Sequence, residues 1–214
     1  MPRVEKAPLV ALVPIKGASN KSRLASVLSA PQRQRLSRWM LARTLSTLAG
    51  VPDVGHVRLI GHAGDTASQQ LARARQIAFV CETAADLNQA LQAEVDRCLA
   101  QAQRVLILFS DLPLLTPTAL ESLLDASTAT LTLAPDTHHR GTNALLYRGS
   151  VPFTMVYGPN SFSRYLEQAR RQKITSTEFF DERLAWDLDT PEDWAHLVSR
   201  LQALGAPVEV DSAT

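Results

Sequence analysis

Short unbroken apolar runs alternate with stretches of helical spacing over the first half of this chain. Leu9 to Val13, Val57 to Ile60, Ile77 to Val80 and Val105 to Phe109 are such runs. Their length and continuity predict interior strands of a parallel sheet, covered on both faces. Between them, Pro31 to Ala49 places Leu36, Met40, Leu41, Leu45 and Leu48 on one helical face and stops at Gly50. An Ala/Gln/Arg-rich helix reaches about Ala74, and Asp86 to Ala100 forms another. Thr116-Pro117 reads as N-cap and first-turn proline of a helix carrying Leu120, Leu123 and Leu124.

After Ala126 the rhythm changes. Thr128 to Leu133 and Ala144 to Tyr147 predict strands, with a polar loop between them. Ser161 predicts the cap of a helix from Phe162 to Arg171, and Leu184 to Asp187 a last short strand. Thr190-Pro191-Glu192-Asp193 opens the final helix, which stops near Gly205. The alternation predicts an α/β fold in one domain over residues 1–214, with right-handed connections and frayed tails at 1–8 and 207–214.

The apolar fraction of 45% and charged fraction of 20% belong to an ordinary soluble protein. A formal charge of +1 gives no global field to attract nucleic acid or a membrane. No apolar segment approaches the ~20 residues of a membrane helix, and no secretory leader is recognisable, so the expected location is the cytoplasm. Cys81 and Cys98 are read as buried, reduced thiols.

Two acidic motifs stand where buried strands run out. Asp111 follows Val105 to Phe109, and Asp187 with Asp189 lies just before the last helix. In open α/β sheets ligands bind beyond the carboxyl ends of the strands. Carboxylates there suit Mg²⁺ and substrate phosphates. Asp111 alone would usually be a turn former or a cap, but Thr116 already fills the capping role. In an extended segment Asp187 and Asp189 face the same side, a repulsion that a cation would relieve.

Around Lys16, Lys21 and Arg23, the loop after the first strand offers three cations to a polyphosphate, or is a solvated surface loop; charge alone leaves both open. It is not a P-loop, because Ile15 and Asn20 stand where that motif needs glycine. Gly141-Thr142-Asn143 and Gly158-Pro159-Asn160-Ser161 bring backbone donors and hydroxyls to element ends, and ordinary turn chemistry explains them equally. His138-His139 lacks a third ligand and reads as a polar loop.

Val13-Pro14-Ile15-Lys16, Lys21-Ser22-Arg23-Leu24, Ser110-Asp111-Leu112-Pro113, Gly141-Thr142-Asn143-Ala144-Leu145, Gly158-Pro159-Asn160-Ser161-Phe162 and Asp187-Leu188-Asp189-Thr190-Pro191 occur in that order. Together they resemble the guanylyltransferases of deazaflavin coenzyme F-420 biosynthesis, the family that includes 2-phospho-L-lactate guanylyltransferase. The resemblance runs from about Leu9 to Leu197. It implies a three-layer, mostly parallel fold of the nucleotide-diphospho-sugar-transferase-like (GT-A) type. It also implies that GTP, one or two Mg²⁺ ions and a phosphorylated three-carbon acid meet in the site. By position, Asp111, Asp187 and Asp189 would hold metal. Lys16, Lys21 and Arg23 would face the triphosphate, with Lys21, Arg23 and Asp111 central to catalysis. Asn88 would lie near the guanosine, and Thr142, Gly158 and Ser161 would bind the acid. A homodimer and hand-over of product to a deazaflavin transferase accompany this expectation.

Where the family often reads Gly-Thr-Gly-Thr-Asn, this chain has His139-Arg140-Gly141-Thr142-Asn143. The two longer side chains favour 3-phosphoglycerate over 2-phospholactate or phosphoenolpyruvate. The rival expectations are a molybdenum-cofactor-type nucleotidyltransferase, whose Gly-rich opening loop this chain lacks, and a GTP-binding regulator without turnover.

Overall fold

A computed structural model of the chain describes residues 7–15, 21–82, 86–126 and 128–203. Among these, seven strands form one sheet: β1 (Leu9–Pro14), β2 (Val54–Gly61), β3 (Ala78–Cys81), β4 (Arg104–Leu108), β5 (Leu131–Pro135), β6 (Thr142–Tyr147) and β7 (Ser176–Glu178). Their order is β3-β2-β1-β4-β6-β5-β7. Only β6 is antiparallel to its neighbours, β4 and β5; the other pairs are parallel.

The helices are α1 (Ala30–Ala49), α2 (Thr66–Ala74), α3 (Leu87–Ala100), α4 (Pro117–Asp125), α5 (Ser161–Arg171), the single turn α6 (Glu182–Ala185) and α7 (Pro191–Ala203). β1 shows why the sheet has helices on both sides. Leu9, Ala11 and Val13 pack with Leu41 and Leu45 of α1 and with Leu120 and Leu123 of α4. Val10 and Leu12 point the other way, to Leu91 and Val95 of α3 and to Tyr165 of α5. Burying each large aliphatic side chain contributes about 1.5–3 kcal/mol, so an apolar run buried on both faces pins the strand centrally.

A third cluster binds the chain's far ends. Leu24, Leu36 and Met40 pack with Leu188 and Leu197, and Trp186 and Trp194 lie against them. It seats the segment between α6 and α7 beside the start of α1. Among the described residues no helix is long and apolar enough to cross a membrane.

The structure corrects several sequence expectations. Leu184 to Asp187 is not a strand: α6 ends at Ala185, and the chain then runs to Asp189 without regular structure. The remaining edge strand is instead β7, Ser176–Glu178, too polar to show apolar alternation and held by backbone pairing to β5. β5 starts at Leu131 rather than Thr128. The N-cap of α5 is Asn160, left-handed at φ 56°, and Ser161 is the first helical residue. Cys98 is buried but Cys81 is exposed, because β3 is an edge strand; both thiols are free.

Candidate active site

The carboxyl ends of β1 and β4 and the segment after α6 converge on one cluster. Asp111, Asp187 and Asp189 each offer a carboxylate oxygen, and these oxygens lie within 4.8 Å of one another. Leu188, fully buried in the third apolar cluster, points down and leaves its two neighbours on the opposite side. Its backbone N–H donates to the Asp111 carbonyl at 3.0 Å, which locks the two motifs together.

Beneath the carboxylates sits Lys21. Its Nζ lies 3.1 Å from Asp111 Oδ2, 2.7 Å from Asp189 Oδ1 and 2.5 Å from the Leu188 carbonyl. An ammonium has three donors, and all three are used here. Burial pulls the Lys21 pKa down, but Asp111 and Asp189 outweigh it and raise the pKa above its ordinary value. Burial, then the Asp111 and Asp189 charges, push Asp187 up to about 6. Three carboxylates against one ammonium leave excess negative charge, and their hard oxygens fit a divalent cation such as Mg²⁺.

Secondary contacts hold these groups in place. The Asp193 carboxylate accepts from the backbone N–H groups of Asp189 (3.0 Å) and Thr190 (2.8 Å), while the Thr190 hydroxyl accepts from Asp193 N at 3.2 Å. This capping box both starts α7 and fixes the Asp189 backbone. On the other flank, Asn143 Nδ2 donates to the carbonyls of Leu184 and Ala185, each at 3.0 Å, tying β6 to α6.

A cavity of about 530 Å³ opens over the cluster, lined on one side by Asp111, Asp187 and Asp189 and on the other by Arg140, Thr142 and Ser161. Asp136 folds its loop: its carboxylate accepts from the backbone N–H of His138, Arg140 and Gly141 at 3.0, 2.9 and 2.7 Å. A Cβ at Gly141 would lie 2.8 Å from Asp136 Oδ2, so any side chain there would push the Asp136 carboxylate out of its place in the loop. The Ser161 hydroxyl donates to Thr142 Oγ1 at 3.2 Å, joining α5 to β6. Gly158, at φ 130°, completes that wall in a conformation L side chains rarely adopt. A larger groove of about 700 Å³ at the opposite end of β2 and β3 has no carboxylate in its lining.

Most of the sequence-derived candidates meet here. Arg23 lines the cavity with an exposed guanidinium, Nη1 3.8 Å from Asp189 Oδ2. Asn88 also lines it, but its amide donates to the Tyr157 carbonyl at 3.0 Å and accepts from Tyr157 N at 2.6 Å. These bonds join α3 to the Tyr157 side of the cavity. His139 turns away: Nε2 is 2.7 Å from Glu178 Oε1, and the ring stacks on Phe180. Lys16 lies outside the described residues. Asp136, Asn143 and the Leu188 carbonyl were not singled out for these roles. The Thr190-to-Asp193 spacing was a readable capping signal, whereas nothing local marked Asn143 as a bridge.

A family model described as "Guanylyl transferase CofC like" matches residues 9–201. The chain belongs to this family. As a CofC-like protein it is a guanylyltransferase, and three relatives illustrate the range of names. Phosphoenolpyruvate guanylyltransferase of Sphaerobacter thermophilus is 32% identical, covering 95% of this chain and 96% of its own. 3-Phospho-D-glycerate guanylyltransferase of Phenylobacterium zucineum is 34% identical, covering 83% of each chain. 2-Phospho-L-lactate guanylyltransferase of Methanothermobacter thermautotrophicus is 30% identical, covering 88% of this chain and 83% of its own. Among solved structures, a protein of Desulfovibrio desulfuricans G20 described as a nucleotide-diphospho-sugar transferase has a TM-score of 0.73 at 19% identity, covering 92% of this CofC-like chain and 88% of its own. At that identity the likeness establishes the fold alone.

Proposed function

We propose that this chain, acting as one nucleotidyltransferase domain, transfers GMP from GTP to a phosphorylated three-carbon acid in coenzyme F-420 biosynthesis. The observation that carries the reading is the joining of Asp111, Asp187 and Asp189 at one end of a cavity whose far wall is Thr142, Ser161 and Arg140. An acidic end suits a metal-bound polyphosphate, and a wall of hydroxyls, backbone donors and a guanidinium suits a phosphoacid.

A phosphomonoester is largely dianionic at neutral pH, with a second pKa near ~6. One of its oxygens therefore attacks the α-phosphorus of GTP without a general base. A phosphorus–oxygen bond forms to the acceptor, the bond to the β-phosphate oxygen breaks, and pyrophosphate leaves in line. Asp111, Asp187 and Asp189 would hold Mg²⁺, which neutralises charge on phosphate oxygens. Arg23 faces the same charge from the protein side. Lys21 keeps the carboxylates close together despite their repulsion. Thr142, Gly158, Ser161 and Arg140 orient the acceptor.

Two observations pull the acceptor assignment in different directions. Arg140 on the cavity wall supports 3-phosphoglycerate, whose carboxylate lies farther from its phosphate; His139 adds nothing, since Glu178 and Phe180 hold its ring. The name of the Sphaerobacter thermophilus relative supports phosphoenolpyruvate. Purified protein with GTP and Mg²⁺, given all three acids in competition, tests both levels. Pyrophosphate release with any acid supports the reaction, and the product mass identifies the acceptor. Release with none of them would reject it.

A further inference from the structure

Beyond the carboxylate cluster, the same sheet edge carries a further carboxylate that the reaction leaves unused. Glu82 follows β3, and its backbone N–H donates to the Gly61 carbonyl at 2.9 Å, extending the pairing of β3 with β2. Its side chain is only 6% exposed. Among the described residues the carboxylate meets one polar side chain, the exposed His62 imidazole, with Nε2 3.3 Å from Oε2. A nearly buried carboxylate with so little compensation is costly unless something else donates to it.

Its position on the sheet bears on what that donor is. β3, β2, β1 and β4 are parallel neighbours, so Glu82, His62, Ile15 and Phe109 follow one another along one edge of the sheet. With about 4.8 Å between strands, β3 stands on the order of 14 Å from β4. A nucleotide, with its ribose between phosphate and base, is built to bridge such a span. Among the described residues, recesses follow that edge. A small recess shares Phe109 and Asp111 with the carboxylate-lined cavity, and shares Ile15 and Ser37 with a further cavity of about 340 Å³. His62, the partner of Glu82, lines that further cavity.

We infer that Glu82 reads the guanine base of the nucleotide. Guanine presents its N1–H and one N–H of its 2-amino group side by side, and a carboxylate supplies two parallel acceptors for them. Adenine offers an acceptor and a carbon at those positions, so it leaves the carboxylate unpaired. Sites built to bond a substrate N–H discriminate strongly against analogues lacking it, because their own polar groups lose their partners. Asn88, the other residue considered for the nucleoside, has both amide groups engaged by Tyr157.

The inference rests on the guanylyl-transfer reading, and the experiment separates the two. Binding of GTP, ITP and XTP is measured by calorimetry with Mg²⁺ for the wild type and for Glu82→Gln, and pyrophosphate release is measured in parallel with the phosphoacids. ITP lacks the 2-amino group, so the wild type binds it roughly tenfold to a hundredfold more weakly than GTP, the loss of one charge-assisted bond. Glutamine keeps an acceptor for N1–H and turns a donor towards the 2-position, where xanthine carries a carbonyl. Glu82→Gln therefore loses GTP affinity and gains XTP affinity, reversing the wild-type preference. Equal binding of GTP and ITP by the wild type overturns the inference without any variant. So does an unchanged GTP-to-XTP ratio in Glu82→Gln. Pyrophosphate release with an unmoved ratio sinks the base reader and keeps the reaction; a reversed ratio without release does the opposite.

Discussion

The Lys21 ammonium lies 3.1 Å from the Asp111 carboxylate, although 90 positions separate the two residues in the chain. Lys21 and Asp111 side chains are only 7% and 11% exposed, so the buried ammonium takes its compensation from Asp111 and Asp189 together, and Asp111 takes part of its own from the ammonium. Lys21 is thus an internal counter-ion of the carboxylate cluster, which explains how three acids remain together.

Removing that counter-ion leaves one buried and two partly buried carboxylates facing one another. Breaking a buried pair by deleting one partner costs about 3–5 kcal/mol. Lys21→Ala is expected to melt on the order of 10 °C lower without metal. Added Mg²⁺ recovers part of the loss, because the ion supplies positive charge to the same oxygens. Scanning calorimetry with and without Mg²⁺ checks this; a deficit indifferent to Mg²⁺ would mean that the cluster does not bind the ion.

Asp111→Asn and Asp189→Asn each remove one hard oxygen ligand and one negative charge. Both are expected to lower Mn²⁺ affinity at least roughly tenfold, the value of one charge-assisted contact, and to abolish Mg²⁺-dependent turnover. Electron paramagnetic resonance titration with Mn²⁺ reads the first effect independently of activity. Near-normal binding in either variant would remove that residue from the metal site.

Arg140 and His139 adjoin in sequence but not in role. Arg140→Ala is expected to raise KM for the phosphoacid roughly tenfold or more with GTP affinity unchanged, since a charged contact to the acceptor is lost. His139→Ala leaves both constants close to wild type, because its ring is held by Glu178 and Phe180 outside the cavity. A larger effect at His139 than at Arg140 would reverse the assignment of the acceptor wall.

Acid stability reports on the Asp181–Arg183 clamp at the start of α6. Arg183 Nε donates to Asp181 Oδ1 at 2.9 Å and Nη2 to Oδ2 at 2.5 Å. That hydrogen bonding, against some opposing burial, holds the Asp181 carboxyl below its ordinary value. A depressed folded pKa stabilises above the unfolded value and is lost as pH falls through the folded one. Asp181→Asn keeps a capping side chain but loses the charge. It should cost about 1 kcal/mol at pH 7 and nothing once the wild-type carboxyl is protonated, well below pH 4. Urea unfolding across that range checks the sign.

The strand-helix alternation was legible because burial on both faces of β1 and β4 demands unbroken apolar runs, and because amphipathic helices must cover them. Helix ends were legible where one side chain does the capping, as at Thr116, whose Oγ1 accepts from Ala119 N at 3.2 Å. β7 was not, since Ser176–Glu178 is held by backbone pairing to β5 rather than by buried side chains. The Leu184 to Asp187 stretch looks apolar enough for a strand. Yet Asp181 accepts from the Arg183 backbone at 2.8 Å and starts a helical turn there.

By itself the sequence determined the α/β class, Asp111 at the carboxyl end of β4, and the spacing that puts Asp187 and Asp189 on one side. These are local consequences of side-chain period and chain direction. Only the tertiary structure decided what each charge faces. It turned Lys21 into the cluster, aimed His139 at Glu178, engaged Asn88 with the Tyr157 backbone, and left Glu82 nearly buried beside His62. A side chain's partner depends on which distant segments the apolar clusters bring together, and no window of sequence contains that contact.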